Sequence, residues 1–200
     1  GHTMVPGQQT LDFDLANASV TFSPEPGASY NYYVARTTTG LAALPTNPTG
    51  GNALNAFFPL LGDPVEMPLQ DGDEVVVYGQ NYNSLYVGID GYVAFGDEAS
   101  TGRPAYDVTG HFAHAAVSAF FTEVDLSSSG QVIWQQLQNR VAITWLGVAS
   151  EGEAGTSTFQ VELFYDGDIR ISCLEVAAEP GIVGLSAGVE PAVFTPSDLS

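Results

Sequence analysis

Residues 157–173 read STFQVELFYDGDIRISC. Phe159, Val161, Leu163 and Tyr165 alternate with Gln160 and Glu162, the period-2 pattern of a strand with one buried face. Asp166-Gly167 then supplies residues that tolerate positive φ, so the chain is expected to turn there and return along residues 169–173 as a hairpin. On the return, Cys173 alternates with Ile169 and Ile171. This makes the single cysteine of the chain a small core hydrophobe rather than a nucleophile.

The same pattern extends in both directions. Val132 and Trp134 share a face of one run, and Val141, Ile143 and Trp145 share a face of the next. Asp90-Gly91 repeats the turn signal between residues 85–89 and 92–95. Further upstream, residues 11–15, 19–22 and 30–36 read as strands. Residues 37–56, rich in Thr, Gly, Pro and Asn, read as a long loop or irregular edge. No long stretch carries a 3.6-residue period, and the best short helix lies over residues 110–116. Short alternating runs set off by Gly, Pro, Asn and Asp predict a two-layer antiparallel β-sandwich (jelly-roll-like) with little helix. Residues 1–4 (Gly-His-Thr-Met) read as a cloning scar, leaving 5–200 as a single domain. Within it, residues 5–75 supply N-terminal strands and the long loop. Those strands are too few to bury a core alone and are expected to complete the later sandwich.

Charge narrows the range of partners. Twenty-three acidic residues face four arginines and no lysine, for a net charge of −19. Nucleic acid and anionic membrane both need a positive face, so neither is expected as a partner. Such charge favours a monomer at the expense of self-repulsion, and points to an extracellular, saline setting. No apolar run approaches the ~18 residues that span a bilayer.

The portion 76–188 resembles the nidogen-like (NIDO) extracellular domain. The resemblance begins at residues 78–87 (YGQNYNSLYV) and 90–96 (DGYVAFG), with Asp90 where that family usually has Asn. It continues through 117–130 (VSAFFTEVDLSSSG), Val132 to Trp134, 142–148 (AITWLGV) and 157–167 (STFQVELFYDG), and closes at 181–188 (GIVGLSAG). It implies a secreted, non-catalytic accessory or adhesion module of a large multidomain bacterial protein. Its partner would be an extracellular matrix or cell-surface protein or a polysaccharide. The family offers no catalytic residues to carry over. The alternative is a carbohydrate-binding module appended to a secreted hydrolase.

For ligand binding, Tyr30 and Tyr32 share a strand face suited to stacking on sugar rings. Both tryptophans fall on inward-looking positions. For metal, Glu123 and Asp125 would share a strand face beside Ser127, Ser128 and Ser129, and form the first candidate for a structural calcium. Asp71 and Asp73 are the second. Otherwise no cofactor is expected, and Asp-Gly pairs also serve simply as turns. His111 and His114 could share a metal on a helix, but Phe112 and Ala115 occupy the positions where a zinc protease motif needs Glu and His. A satisfied surface loop is the expectation. No Gly-x-Ser-x-Gly elbow is present, and the spacing of paired carboxylates is a property only a fold can show.

Overall fold

The computed structural model of the chain describes residues 15–25, 32–58, 62–96, 103–151, 154–177 and 181–189. In chain order the first strands are β1 (Ala18–Pro24), β2 (Tyr33–Thr39), β3 (Asn52–Ala53), β4 (Val65–Pro68), β5 (Val75–Val77), β6 (Gln80–Tyr82), β7 (Ser84–Gly88) and β8 (Tyr92–Phe95). They continue as β9 (Ala115–Phe121), β10 (Val124–Asp125), β11 (Gln131–Leu137), β12 (Arg140–Ser150), β13 (Ser157–Phe164), β14 (Ile169–Glu175) and β15 (Ile182–Ala187). Among the described residues, helix is confined to α1 (Val108–His111) and a 3-10 turn at Asn55–Phe57. The protein is therefore all-β, built from antiparallel sheets.

The larger sheet runs β2-β1-β14-β13-β12-β11-β3, with β10 also paired to β12. The smaller runs β15-β9-β8-β7-β4, and β5-β6 forms a separate hairpin. The inward residues of the two sheets make one core. Trp134, Val141, Ile143, Trp145, Phe159, Val161, Leu163, Ile169 and Ile171 pack in one cluster with Leu85, Val87, Val93, Val117 and Phe120. Each large side chain buried in this way contributes roughly 1.5–3 kcal/mol. Trp145 is fully buried and stacks on Phe159, with ring centroids 5.2 Å apart. Its Nε1 donates to the Ile89 carbonyl at 3.0 Å, so one side chain ties the larger sheet to the β7–β8 turn.

Both Asp-Gly turns lie where the sequence puts them, with one difference. Phe164 N donates to Asp168 O and Gly167 N donates to Phe164 O, which leaves a three-residue loop, Tyr165 to Gly167. Gly167 has φ +96 and Gly91 has φ +82, whereas neither aspartate has positive φ. The glycines alone take the left-handed position, and the aspartates bond backbone N–H groups with their carboxylates, Asp90 that of Val124 and Asp166 that of Asp168.

Two other expectations need correction. The helix over 110–116 is instead α1, capped where Asp107 accepts from Gly110 N. From Ala115 the chain is already strand β9, because apolar residues there cross the sheet rather than lie along a helix face. Residues 157–165 do not form a half-buried strand. Gln160 and Glu162, on the outward face, are 0% exposed. The long loop folds over them: Thr46 N donates to Gln160 Oε1, Gln160 Nε2 returns a bond to Thr46 O, and Thr46 Oγ1 donates to Glu162. Polar alternation therefore marks a second buried layer here, satisfied by hydrogen bonds rather than by water. Residues 19–22 lie in β1, and the strand read over 30–36 is β2, starting at Tyr33 and running on to Thr39. β1 pairs with β14, β4 with β7, and β3 with β11, so strands from residues 18–68 are hydrogen-bonded into both main sheets. Residues 11–14 and Tyr30 lie outside the described residues.

Candidate functional site

At the end of the larger sheet where β13 turns into β14, the short β5–β6 hairpin packs against β13, and Tyr33 of β2 meets Tyr78 at its turn. Pro24, Tyr33, Val76, Gly79, Asn81, Asp166 and Gly167 line an open groove there of about 310 Å³. That volume lies at the lower end of the roughly 300–1,000 Å³ usual for small-ligand sites. Its walls follow from the turns. Gly167 has no side chain and lets Pro24 approach; a Cβ at this position would lie 3.3 Å from Pro24 Cγ. Tyr33 faces Pro24 across the β1–β2 register and is fixed edge-on against Tyr78, with ring centroids 5.2 Å apart. Tyr78 itself holds φ 48, a left-handed conformation that turns β5 into β6 and aims its backbone N–H at Tyr33 Oη, 3.0 Å away.

The polar groups of the groove are both acceptors and donors. Asn81 Nδ2 gives one N–H to Glu74 Oε2 at 2.7 Å and keeps the other, and its side-chain carbonyl has no donor among the described residues. Asp166 Oδ1 accepts from Asp168 N at 3.3 Å, and Oδ2 has no donor among the described residues. Gly167 N is committed to Phe164 O. The Tyr33 hydroxyl already accepts from Tyr78 N and keeps its proton to donate. Burial raises the Tyr33 phenol, and pushes that of Tyr78 up to about 12, so both rings stay neutral through the ordinary pH range.

Tyr32, read from sequence as a sugar platform, is 66% exposed and directly precedes the groove residue Tyr33. Asp71 and Gly72 both have positive φ and close the turn before β5. Asp73 accepts from Gln136 Nε2 at 2.9 Å. The Asp125 carboxylate is occupied locally by Ser127 N, Ser127 Oγ and Ser128 Oγ, and these hydrogen bonds hold it below the usual carboxylate range. Glu123 points to different company. Desolvation and the neighbouring Glu151 raise its carboxyl above the ordinary value. Among the described residues, no three side chains of His, Cys, Asp or Glu gather as a metal site would require.

His111 is buried, contrary to the expected surface loop. Its Nδ1 lies 2.8 Å from Ser118 Oγ, and burial lowers its pKa, opposed by a backbone hydrogen bond to Leu185. It pins α1 onto β9 and β15. Cys173 is buried as expected, and desolvation pushes its thiol up to about 12, which makes it unreactive.

Sequence reasoning missed two ionic knots. Asp90, beside the Gly91 turn, is fully buried and accepts two 2.6 Å bonds from Arg103, another from Val124 N at 3.1 Å, and one from Tyr106 Oη at 3.3 Å. Glu162 is held between Arg140 at 2.9 Å and Arg170 at 2.5 Å, and both guanidiniums lie over the Phe164 ring. The scarcity of basic residues was the available signal, since a buried carboxylate must find one of four arginines. No family model matches the chain, nor does any curated protein or solved structure.

Proposed function

We propose that this domain is a non-catalytic extracellular accessory module that adheres by holding a saccharide in the groove between the β5–β6 hairpin and the β13–β14 turn. The observation that carries the reading is the lining itself: one tyrosine ring, one carboxamide and one carboxylate around an open space of about 310 Å³. An aromatic face beside paired hydrogen-bond acceptors suits a hydroxyl-rich ring. Asp166 is the one carboxylate among the described lining residues, so the two close carboxylates of glycoside hydrolysis are not assembled there. The extracellular assignment rests on the likeness of residues 76–188 to the nidogen-like domain and on the strongly acidic composition. The experiment is calorimetric titration of the protein with a panel of oligosaccharides, repeated on Asn81→Ala and Asp166→Ala. At least one saccharide should bind with a Kd in roughly the micromolar to millimolar range and lose affinity in both variants. Binding by none, or binding indifferent to both substitutions, would remove the groove from consideration.

A further inference from the structure

The hydrogen-bond inventory of the groove says more about the ligand than its shape does. Asn81 is oriented by one N–H bond to Glu74 and offers its carbonyl and a second N–H, and Asp166 offers a carboxylate oxygen that has no donor among the described residues. A glycosyl hydroxyl can donate to either oxygen. However, a carboxylate taken from water in an open groove is best compensated by a cation. The chain carries −19 overall, and three of its four arginines are held by buried carboxylates, Arg103 on Asp90 and Arg140 and Arg170 on Glu162, while Arg36, three residues along β2 from Tyr33, forms no ion pair with Asp166. Among the described residues no cation pairs with Asp166, while the long-range field draws positive ligands inward. The Tyr33 ring adds an aromatic surface to the same wall.

We propose that the groove recognises an unacetylated amino sugar, with the ammonium group placed between Asp166 and the Asn81 carbonyl and the sugar ring against Tyr33. This rests on the groove being the binding site, and it adds the chemical class of the ligand. A lysine side chain could supply the ammonium alone. The hydroxyl of Tyr33 and the second acceptor favour a ring that also carries hydroxyls.

The test is calorimetric titration at about pH 6, where an amine of this kind is protonated. It uses three probes: a glucosamine oligomer, the same oligomer N-acetylated, and an oligolysine of similar length. The glucosamine oligomer should bind roughly tenfold or more tightly than its neutral counterpart, and Asp166→Asn should abolish that difference. Glu175→Gln is the control, at the far end of β14 and roughly 20 Å of strand away, and should change nothing. Equal binding of the charged and acetylated oligomers would overturn the ammonium assignment while leaving a saccharide site standing. Oligolysine binding as tightly with the same dependence on Asp166 would overturn the sugar, and equal losses in the Asp166 and Glu175 variants would reduce the effect to diffuse charge. Failure of all three probes to bind would overturn the amino sugar, and the groove itself would then stand or fall with the wider oligosaccharide panel.

Discussion

Gly91 and Gly167 follow the same sequence rule and differ in what surrounds them. Both have positive φ, which costs any other residue roughly 1 kcal/mol. A Cβ at Gly91 would also lie 2.3 Å from the Phe120 carbonyl oxygen, an atom of the β9 backbone that cannot swing aside, whereas at Gly167 the nearest atom is Pro24 Cγ at 3.3 Å. Gly91→Ala should therefore destabilise by about 3 kcal/mol or more and Gly167→Ala by about 1 kcal/mol, read from denaturant unfolding midpoints. Equal effects would mean that β9 yields at Phe120. His111 gives a second expectation at this scale. Its folded pKa is depressed, so the unfolded chain takes up the proton first, and the stability tied to neutral His111 is complete above the ordinary value of 6.5. That stability is lost as pH falls through 6.5 towards the folded value. Between about pH 7.5 and pH 5, wild type should lose more Tm than His111→Gln. A parallel decline in both would show that carboxylates alone set the slope. The turn glycines were legible because φ > 0 leaves a local signature. The burial of His111 was not, because it depends on Leu185 and Ser118, which the fold alone brings to it.

Strand β13 shows what an alternating pattern can and cannot say. Phe159, Val161 and Leu163 face inward at 0–1% exposure, as period 2 requires. The same pattern is silent on whether the polar face meets water or another layer. Here residues around Thr46 cover Gln160 and Glu162, and Arg140 and Arg170 close the charge. Removing Glu162 leaves two partly exposed guanidiniums and one buried threonine hydroxyl, so Glu162→Ala should cost about 2–4 kcal/mol, discounted for solvent reaching both arginines. Arg140→Ala should cost less, since Arg170 remains. A double-mutant cycle on Glu162 and Arg140 would measure the coupling, and a value near zero would mark the pair as ornamental. The groove was only partly legible for a related reason. Tyr33, Asn81 and Asp166 come from three separate hairpins, and no sequence spacing records that the β5–β6 hairpin would stand over the β13–β14 turn.

At the scale of the whole molecule, three of the four arginines are tied to two fully buried carboxylates, so the remaining acids crowd the surface almost without counter-charges. Folding brings those acids together, and 1 M salt, with a Debye length of about 3 Å, removes most of their repulsion. Tm should rise steadily in sodium chloride. Because Asp125 already serves Ser127 and Ser128 while Glu123 faces Glu151, low-millimolar calcium at matched ionic strength should add no saturable step. A saturable rise in calcium that Asp125→Asn abolishes would establish an ordered calcium at that loop.

The placement of Trp145 makes the molecule its own optical probe. The chain has two tryptophans, and both indoles are in the core, Trp145 at 0% exposure and Trp134 at 5%. Native fluorescence should therefore be blue-shifted, and resistant both to iodide, which the acidic surface repels, and to neutral acrylamide. Since the Trp145 indole N–H bridges to Ile89, its red shift on denaturation reports the moment the two layers part. Emission and circular dichroism recorded together would show whether the sheets separate before their strands unravel.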